Sequence, residues 1–270
     1  MKTASKVYTA LIFLFLYAPI LVMVLFSFNS SNSTGVFSGF SIKWYKELFN
    51  NSHAFEALKN TLLLATISSV IATLIGTAAA VGLHSTKSKY LKRSVMSATN
   101  IPMMNPDIVT GISMMLLFVF VGILFHYDDK LSFTTVLIAH ITFNLPYVIL
   151  SVLPKFKQMD KHLPEAALDL GCTPLQAFLK VELPEIAPGI LTGLIMSFTL
   201  SLDDFIISYF TTGSGFQTLP IFIFSMTKKR VTPDIYALST LVFLCILVLL
   251  ILYNISSSKQ KNETKTKRRD

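Results

Sequence analysis

Long apolar runs alternate with short polar stretches along this chain. Six of them reach the roughly 20 residues a helix needs to cross a bilayer: 8–28, 58–83, 95–123, 132–151, 189–211 and 236–256. Helix is the element such runs predict, because in hydrocarbon each backbone N–H and C=O must find its partner within the segment. Pro102 and Pro106 interrupt the third run. That predicts a broken span whose freed backbone groups are met by protein or by a watery cavity. The first run is too long for a signal peptide, and Phe26-Ser27-Phe28-Asn29-Ser30 offers no small-residue cleavage site. It is read as a retained first span.

Between the fourth and fifth runs lies a polar insert, 152–188, with its own helical grammar. Pro164 suits a first turn, Glu165 faces the positive end of a helix dipole, and Gly171 can supply a left-handed stop. Thr173-Pro174-Leu175-Gln176 then matches a capping box. The spacing predicts two short helices around a turn. Ala166, Ala167 and Gly171 are small enough for another protein to approach the backbone, while Glu165 and Asp169 charge one flank. A DNA-binding helix-turn-helix is excluded by charge. From Asp160 to Glu185 the acids Asp160, Glu165, Asp169, Glu182 and Glu185 outweigh Lys161 and Lys180, whereas a phosphate-binding unit is basic.

Composition agrees with a membrane protein: 52% of residues are hydrophobic, 14% are charged, and mean hydropathy is +0.60. The net charge of +8 is largely a topological bias. With the N-terminus inside, the inner segments hold Lys2, Lys6, Lys87, Lys89, Lys92, Arg93, Lys155, Lys157, Lys161 and Lys180, and the run from Lys259 to Arg269. The outer ones hold only Lys43, Lys46, Lys59, Lys130, Lys228, Lys229 and Arg230. The positive-inside rule then puts both termini and the 152–188 insert in the cytoplasm. The basic end, 257–270, is read as a polar cytoplasmic tail suited to anionic headgroups. Cys172 and Cys245 are too far apart to suggest a disulfide or a metal framework, and no cofactor is implied. No Walker-type loop is present, so ATP is not bound here by a P-loop.

Glu165-Ala166-Ala167, Gly171 and Leu183-Pro184, placed before the penultimate span, resemble the EAA loop of bacterial ABC importer permeases. The resemblance extends to Met103–Val109, His140–Phe143, Ser197–Asp204, Leu219-Pro220, Tyr17–Ile20, Ser27–Ser30 and Trp44-Tyr45. These stretches look like the second permease subunit of spermidine/putrescine importers. The resemblance implies an all-α, six-span permease of the MetI-like type I importer fold, in the bacterial inner membrane. The division expected is a first span with outer loop (1–56), a permease core (57–256) and the tail (257–270). It also implies that Glu165, Ala166, Ala167, Asp169, Gly171, Leu183 and Pro184 couple to an ATPase. The partners implied are a related permease, two copies of a cytoplasmic ATP-binding subunit and an extracytoplasmic substrate-binding protein. The chain itself is then a transport subunit and not an enzyme. Relatives that carry other small cations or organic solutes share the EAA loop, so those substrates stay open.

Ionisable groups inside a span cost several kcal/mol and are functional candidates by default. Asp107 falls about 18 Å up the third span, near mid-bilayer, and Asp203 and Asp204 fall in the outer half of the fifth. Adjacent helix positions point about 100° apart, so at most one of this pair faces a pore wall. Which one is not fixed by sequence. A polyamine needs spaced carboxylates for its ammonium groups and aromatic faces for its methylenes. Asp107, Asp203 and Asp204 with Tyr17, Trp44 and Tyr147 meet that need. The plainer alternatives are that Asp107 caps the helix restarting after Pro106, that Trp44 and Tyr45 belong to an interfacial belt, and that His140 is a helix–helix hydrogen-bonding group. An intramembrane aspartyl protease is excluded by the different heights of the acids. A stand-alone secondary transporter would need internal repeats that the halves do not show.

Overall fold

The computed structural model describes residues 2–31, 36–127, 130–160, 162–228, 234–244 and 247–248. Among them the chain is helical almost throughout, with a single β-bridge between Asn29 and Phe40. Five helices are long and apolar enough to cross a membrane: Lys6–Ser27, Ser52–Ser85, Asp107–Leu124, Phe133–Gln158 and Pro174–Asp203. The sixth expected run is represented by the apolar helix Asp234–Leu244. Most of its remainder, with Cys245 and the basic tail, lies outside the described residues. The chain divides into two compact units, 1–55 with 223–270, and 56–222.

In the first unit, α1 (Lys2–Ser27) buries none of its most apolar stretch. Leu11, Phe15, Leu21 and Leu25 all lie exposed. Such a surface aggregates in water but is the natural one for lipid or a partner helix. Beyond α1, Asn29 organises the loop: its side-chain amide donates to the Val36 carbonyl at 2.8 Å and its oxygen accepts from the Ser38 amide at 2.9 Å. Helix α2 (Lys43–Phe49) follows.

The second unit is built on α3 (Ser52–Ser85), α6 (Phe133–Gln158) and α9 (Leu183–Asp203). A Cβ added at Gly189 would stand 2.8 Å from the Ser151 carbonyl and 2.7 Å from Lys155 Cγ, and one at Gly193 would stand 3.2 Å from Val148 Cα. Ser201 faces His140. Those pairs set an antiparallel register in which four residues up α9 is four residues down α6. Gly76 of α3 approaches Val148 equally closely. Small residues at these crossings let backbones approach, which is how helices pack where hydrocarbon gives no hydrophobic drive between them. Val148, Val152, Phe156, Ile186, Ala72 and Ala80 complete the seam.

The third run is broken as its prolines require. Helix α4 (Lys89–Met104) ends at Asn105, whose ψ of 138° is extended, and α5 (Asp107–Leu124) restarts after Pro106. Proline disfavours helical geometry in the residue before it. Asn105 Nδ2 bridges the break, donating to Thr110 Oγ1 at 3.1 Å. Val95 and Met96 of α4 pack on Leu83, Ile149 and Leu153.

The 152–188 insert contains α7 (His162–Asp169) and α8 (Pro174–Ala177), and α8 runs through a π-helical segment, Phe178–Glu182, straight into α9. The Leu183 amide reaches back five residues to the Phe178 carbonyl. Pro184 explains this widening, since its ring would clash with the carbonyl four residues before it in a regular helix. The sequence predicts two separate short helices; the second is instead the base of the long crossing helix.

Candidate functional site

The two neighbouring acids at the end of α9 have different fates. Helix α9 stops at Asp203, Asp204 is extended (ψ 125°), and a short helix α10 (Ile206–Thr211) follows. Asp204 Oδ1 accepts from the Ile207 amide at 3.2 Å and Oδ2 from the Ser208 amide at 2.8 Å, so the carboxylate caps α10. Its Oδ2 also stands 3.4 Å from His140 Nε2, with the two side chains 8% and 1% exposed. His140 in turn meets Ser208 Oγ at 2.9 Å through Nε2 and Ser201 Oγ at 2.6 Å through Nδ1. Ser201 Oγ lies 2.9 Å from Ser68 Oγ. One buried chain of polar groups thus ties α3, α6, α9 and α10 together. Asp203, one residue away, is exposed. Of the pair, Asp203 is the one whose carboxylate faces out of the chain.

Asp107 is also exposed and is the first residue of α5. It is not the cap: α5 starts without a side-chain cap bond, and the Val109 and Thr110 amides go to the Pro106 carbonyl at 2.9 and 3.2 Å. The capping alternative therefore falls away, although an acid in the first turn still suits the helix dipole. The break lines a cleft of about 240 Å³ with Ile101, Asn105, Thr110, Ser113, Thr142 and Phe143, and Asp107 is within electrostatic reach of the Tyr147 phenol. Thr142, Phe143 and Tyr147 lie at the middle of α6, so Asp107 sits level with the middle of that helix. Tyr147 is half-buried and edge-on to Phe143 at 5.5 Å. Gly111, one turn from Asp107, is packed against Phe210 and the Ile206 carbonyl. Ala139, Phe143 and Ile207 with Met114, Phe118, Tyr147 and Leu200 form the apolar base on which these acids stand. Through the register, Asp203 lies at the level of Ile138, just beyond His140, and Asp107 near that of Tyr147. The two are staggered by about 13 Å along α6, at 1.5 Å per residue.

The other two aromatic candidates belong to the first unit. Trp44 is buried, its Nε1 donating to the Asn29 carbonyl at 2.6 Å, while Lys43 Nζ lies 5.0 Å from its ring centre. Its indole N–H is taken up by the loop's own structure, which is packing and not a belt. Tyr45 shares that loop, its hydroxyl 2.7 Å from Ser27 Oγ. Tyr17 is exposed on α1, stacked with Phe13 at 6.1 Å.

In the insert, Gly171 has φ +87°, the Cys172 amide bonds the Ala167 carbonyl at 3.1 Å and the Gly171 amide bonds the Leu168 carbonyl at 2.9 Å. These are the two bonds of a Schellman stop. Thr173 and Gln176 form the reciprocal capping box, at 3.0 and 3.3 Å. Ala167 points inward and is buried, so only Ala166 of the alanine pair offers its small side chain outward. Glu165 and Asp169 are exposed, Glu165 lying 3.4 Å from His162. Leu183 packs inward on the Phe156–Met159–Ile186 cluster, whereas Pro184 is exposed. Leu168, Leu170, Leu175 and Leu179 are exposed around the stop, Leu170 at 86%. These exposed leucines leave apolar surface beside the acidic flank of Glu165 and Asp169. The sequence does not single them out, because leucines beside an amphipathic helix ordinarily belong to its buried face.

A family model for binding-protein-dependent transport system inner membrane components matches residues 72–261. The spermidine/putrescine transport system permease protein PotC of Escherichia coli K12 is 38% identical over 254 residues, covering 94% of each chain. The putrescine transport system permease protein PotI of the same strain is 38% identical over 230 residues, covering 85% of this chain and 82% of its own. The PotC protein of Haemophilus influenzae is 35% identical over 93% of this chain and 95% of its own. Among solved structures, a bacterial ABC transporter that imports alginate superimposes with a TM-score of 0.75 at 17% identity, covering 96% of this chain and 94% of that one. At that identity the likeness speaks for the fold.

Proposed function

Because the chain belongs to the binding-protein-dependent transport system inner membrane components, and is thus a membrane-embedded permease, we propose that it carries polyamines as one half of an ATP-driven importer's transmembrane pair. The likeness to polyamine permeases along nearly the whole chain carries this reading. The site's chemistry supports it: two exposed carboxylates, Asp107 and Asp203, with the half-buried Tyr147 phenol within electrostatic reach of Asp107. A stagger of about 13 Å along the helix axis, shortened by the reach of the two carboxylate side chains, is comparable with the distance between the end ammonium groups of an extended triamine. Irregular backbone at Asn105–Pro106 and at Asp204–Phe205 is tolerated at membrane depth only against protein or a watery cavity, and both breaks adjoin an acid.

In this reading a related permease covers the exposed faces of α5 and α9. Two cytoplasmic ATP-binding subunits supply the hydrolysis, one of them gripping the surface around Gly171, and a substrate-binding protein delivers cargo from outside. The distribution of lysine and arginine supports cytoplasmic termini. The test is to purify the chain with its co-expressed partners, reconstitute it and measure ATP hydrolysis and uptake with spermidine, putrescine, a neutral sugar and an organic dianion. Stimulation by the polyamines alone is the expected result; a preference for sugar or dianion overturns the substrate. For orientation, single thiols at Ser88 and Thr173 resist an impermeant reagent applied to intact cells while one at Ser38 reacts. The reverse pattern rules out the topology.

A further inference from the structure

Two adjacent carboxylates at membrane depth raise a question that the transport reading alone leaves open: what keeps the second charge out of the cation path. An aspartate one residue from Asp203 would, if free, add its charge to the same wall and hold a cation too tightly for release. Asp204 instead turns inward, and what receives it is His140, far earlier in the chain on α6. The imidazole is fully enclosed, and both ring nitrogens are engaged, Nδ1 by Ser201 and Nε2 by Ser208 and the Asp204 carboxylate. The amides of Ile207 and Ser208 and the Ser208 hydroxyl finish the carboxylate's shell. Without the ring, the carboxylate loses its charge-bearing partner and keeps only those neutral donors, and water on the open side becomes the better environment for it.

We propose that His140 is the positioning residue that divides the Asp203–Asp204 pair: it retains Asp204 inside as the clamp of the α9–α10 break and leaves Asp203 as the single charge on the open side. This deepens the cation-path reading of Asp203 and rests on it for its effect on transport, but the division of the pair is a local electrostatic fact that can be measured without any substrate. His140 touches no cargo in this scheme. Ser201 and Ser68 act through it, setting the ring's orientation from the α9 and α3 sides.

Two replacements separate the arms of the ring. In His140→Gln the terminal amide occupies the region of Nε2 and can still donate to Asp204. In His140→Asn the shorter amide reaches the region of Nδ1, keeping the Ser201 bond but not the Asp204 one. Each is combined with Asp203→Cys in a chain whose Cys172 and Cys245 are replaced by serine, in the complex purified with its partner subunits. The rate of modification of the thiol introduced at position 203 is then measured with a cationic and an anionic methanethiosulfonate of equal size. The ratio of the two rates reports local charge, and it cancels any change in general accessibility or thiol reactivity. If His140 holds Asp204 inside, the cationic-to-anionic ratio rises about tenfold in His140→Asn, the rate equivalent of about 1.4 kcal/mol, and stays at the parent value in His140→Gln. Equal ratios in the Asn, Gln and parent backgrounds overturn the proposal, as does a change of both absolute rates with the ratio fixed, which is what mere loosening of the fold produces. With Asp203 restored, His140→Asn raises the apparent KM for spermidine uptake more than it lowers the maximal rate, while His140→Gln restores the parent KM. A polyamine-insensitive wild-type complex would sink the substrate reading and leave the ratio experiment standing.

Discussion

Gly171→Asp leaves the permease inserted and assembled but reduces polyamine uptake to background. The residue sits at the end of α7 with φ +87°, a conformation that costs an ordinary L-residue about 1–2 kcal/mol. A Cβ there meets no atom within 4 Å, so the chain itself has room for a side chain. Close approach by another subunit is what the new carboxylate would block, and it would add to a flank already made negative by Glu165 and Asp169. Backbone strain and surface blockade are separated by Gly171→Asn, because asparagine tolerates the left-handed region and carries no charge. If coupling depends on the surface, Asn retains measurable uptake and Asp does not, and ATP hydrolysis in the Asp variant loses its response to substrate. Normal uptake by Gly171→Asp at normal expression removes the insert from the coupling pathway.

What can be read in advance divides by the range of the interactions that decide it. The stop at Gly171 and the box from Thr173 to Gln176 are legible because every atom involved lies within a few residues. The broken third span is legible for the same reason, since Pro106 acts on Asn105 directly. The fate of Asp204 is not, because it depends on an imidazole on another crossing helix and on the α6–α9 register set by Gly189 and Gly193. The roles of Asp203 and Asp204 cannot be told apart from a motif in which they are neighbours. His140 reads from sequence as a hydrogen-bonding group between helices, and it is one, but its partner acid reads as a path residue. Trp44 misleads through its type: an indole near a membrane end suggests a belt or a ligand face, and only the Asn29 carbonyl 2.6 Å away reveals the loop it closes. The π segment, too, is hidden in the sequence, since Pro184 at the start of a helix ordinarily reads as a first-turn residue.

Asp107→Asn and Asp203→Asn each lower spermidine uptake about tenfold or more, whereas Asp204→Asn acts chiefly on how much folded permease accumulates. A carboxylate–ammonium contact in a partly dry path is worth about 1.5–3 kcal/mol, and each 1.4 kcal/mol is a factor of ten. Asparagine keeps the size and polarity of the side chain, and at position 107 it forfeits no cap bond, because α5 starts without one. A deficit at 107 is therefore a charge effect. At 204 the amide's own N–H groups would face the donors of His140, Ile207 and Ser208, so one contact turns repulsive and the α9–α10 break loosens. Substrate length supplies the sharper test. If Asp107 and Asp203 hold the two ends of one extended cation, the double replacement multiplies the losses for spermidine, which with the reach of both carboxylates can span a stagger of about 13 Å. The shorter putrescine engages one acid at a time, so its loss in the double variant comes from sequential steps and stays close to that of the worse single variant. Uptake of both polyamines by the four permeases at matched complex levels decides the matter. Equal, silent behaviour of Asp107→Asn and Asp203→Asn ends the cation-path reading, and identical scaling for the two polyamines ends the two-ended one.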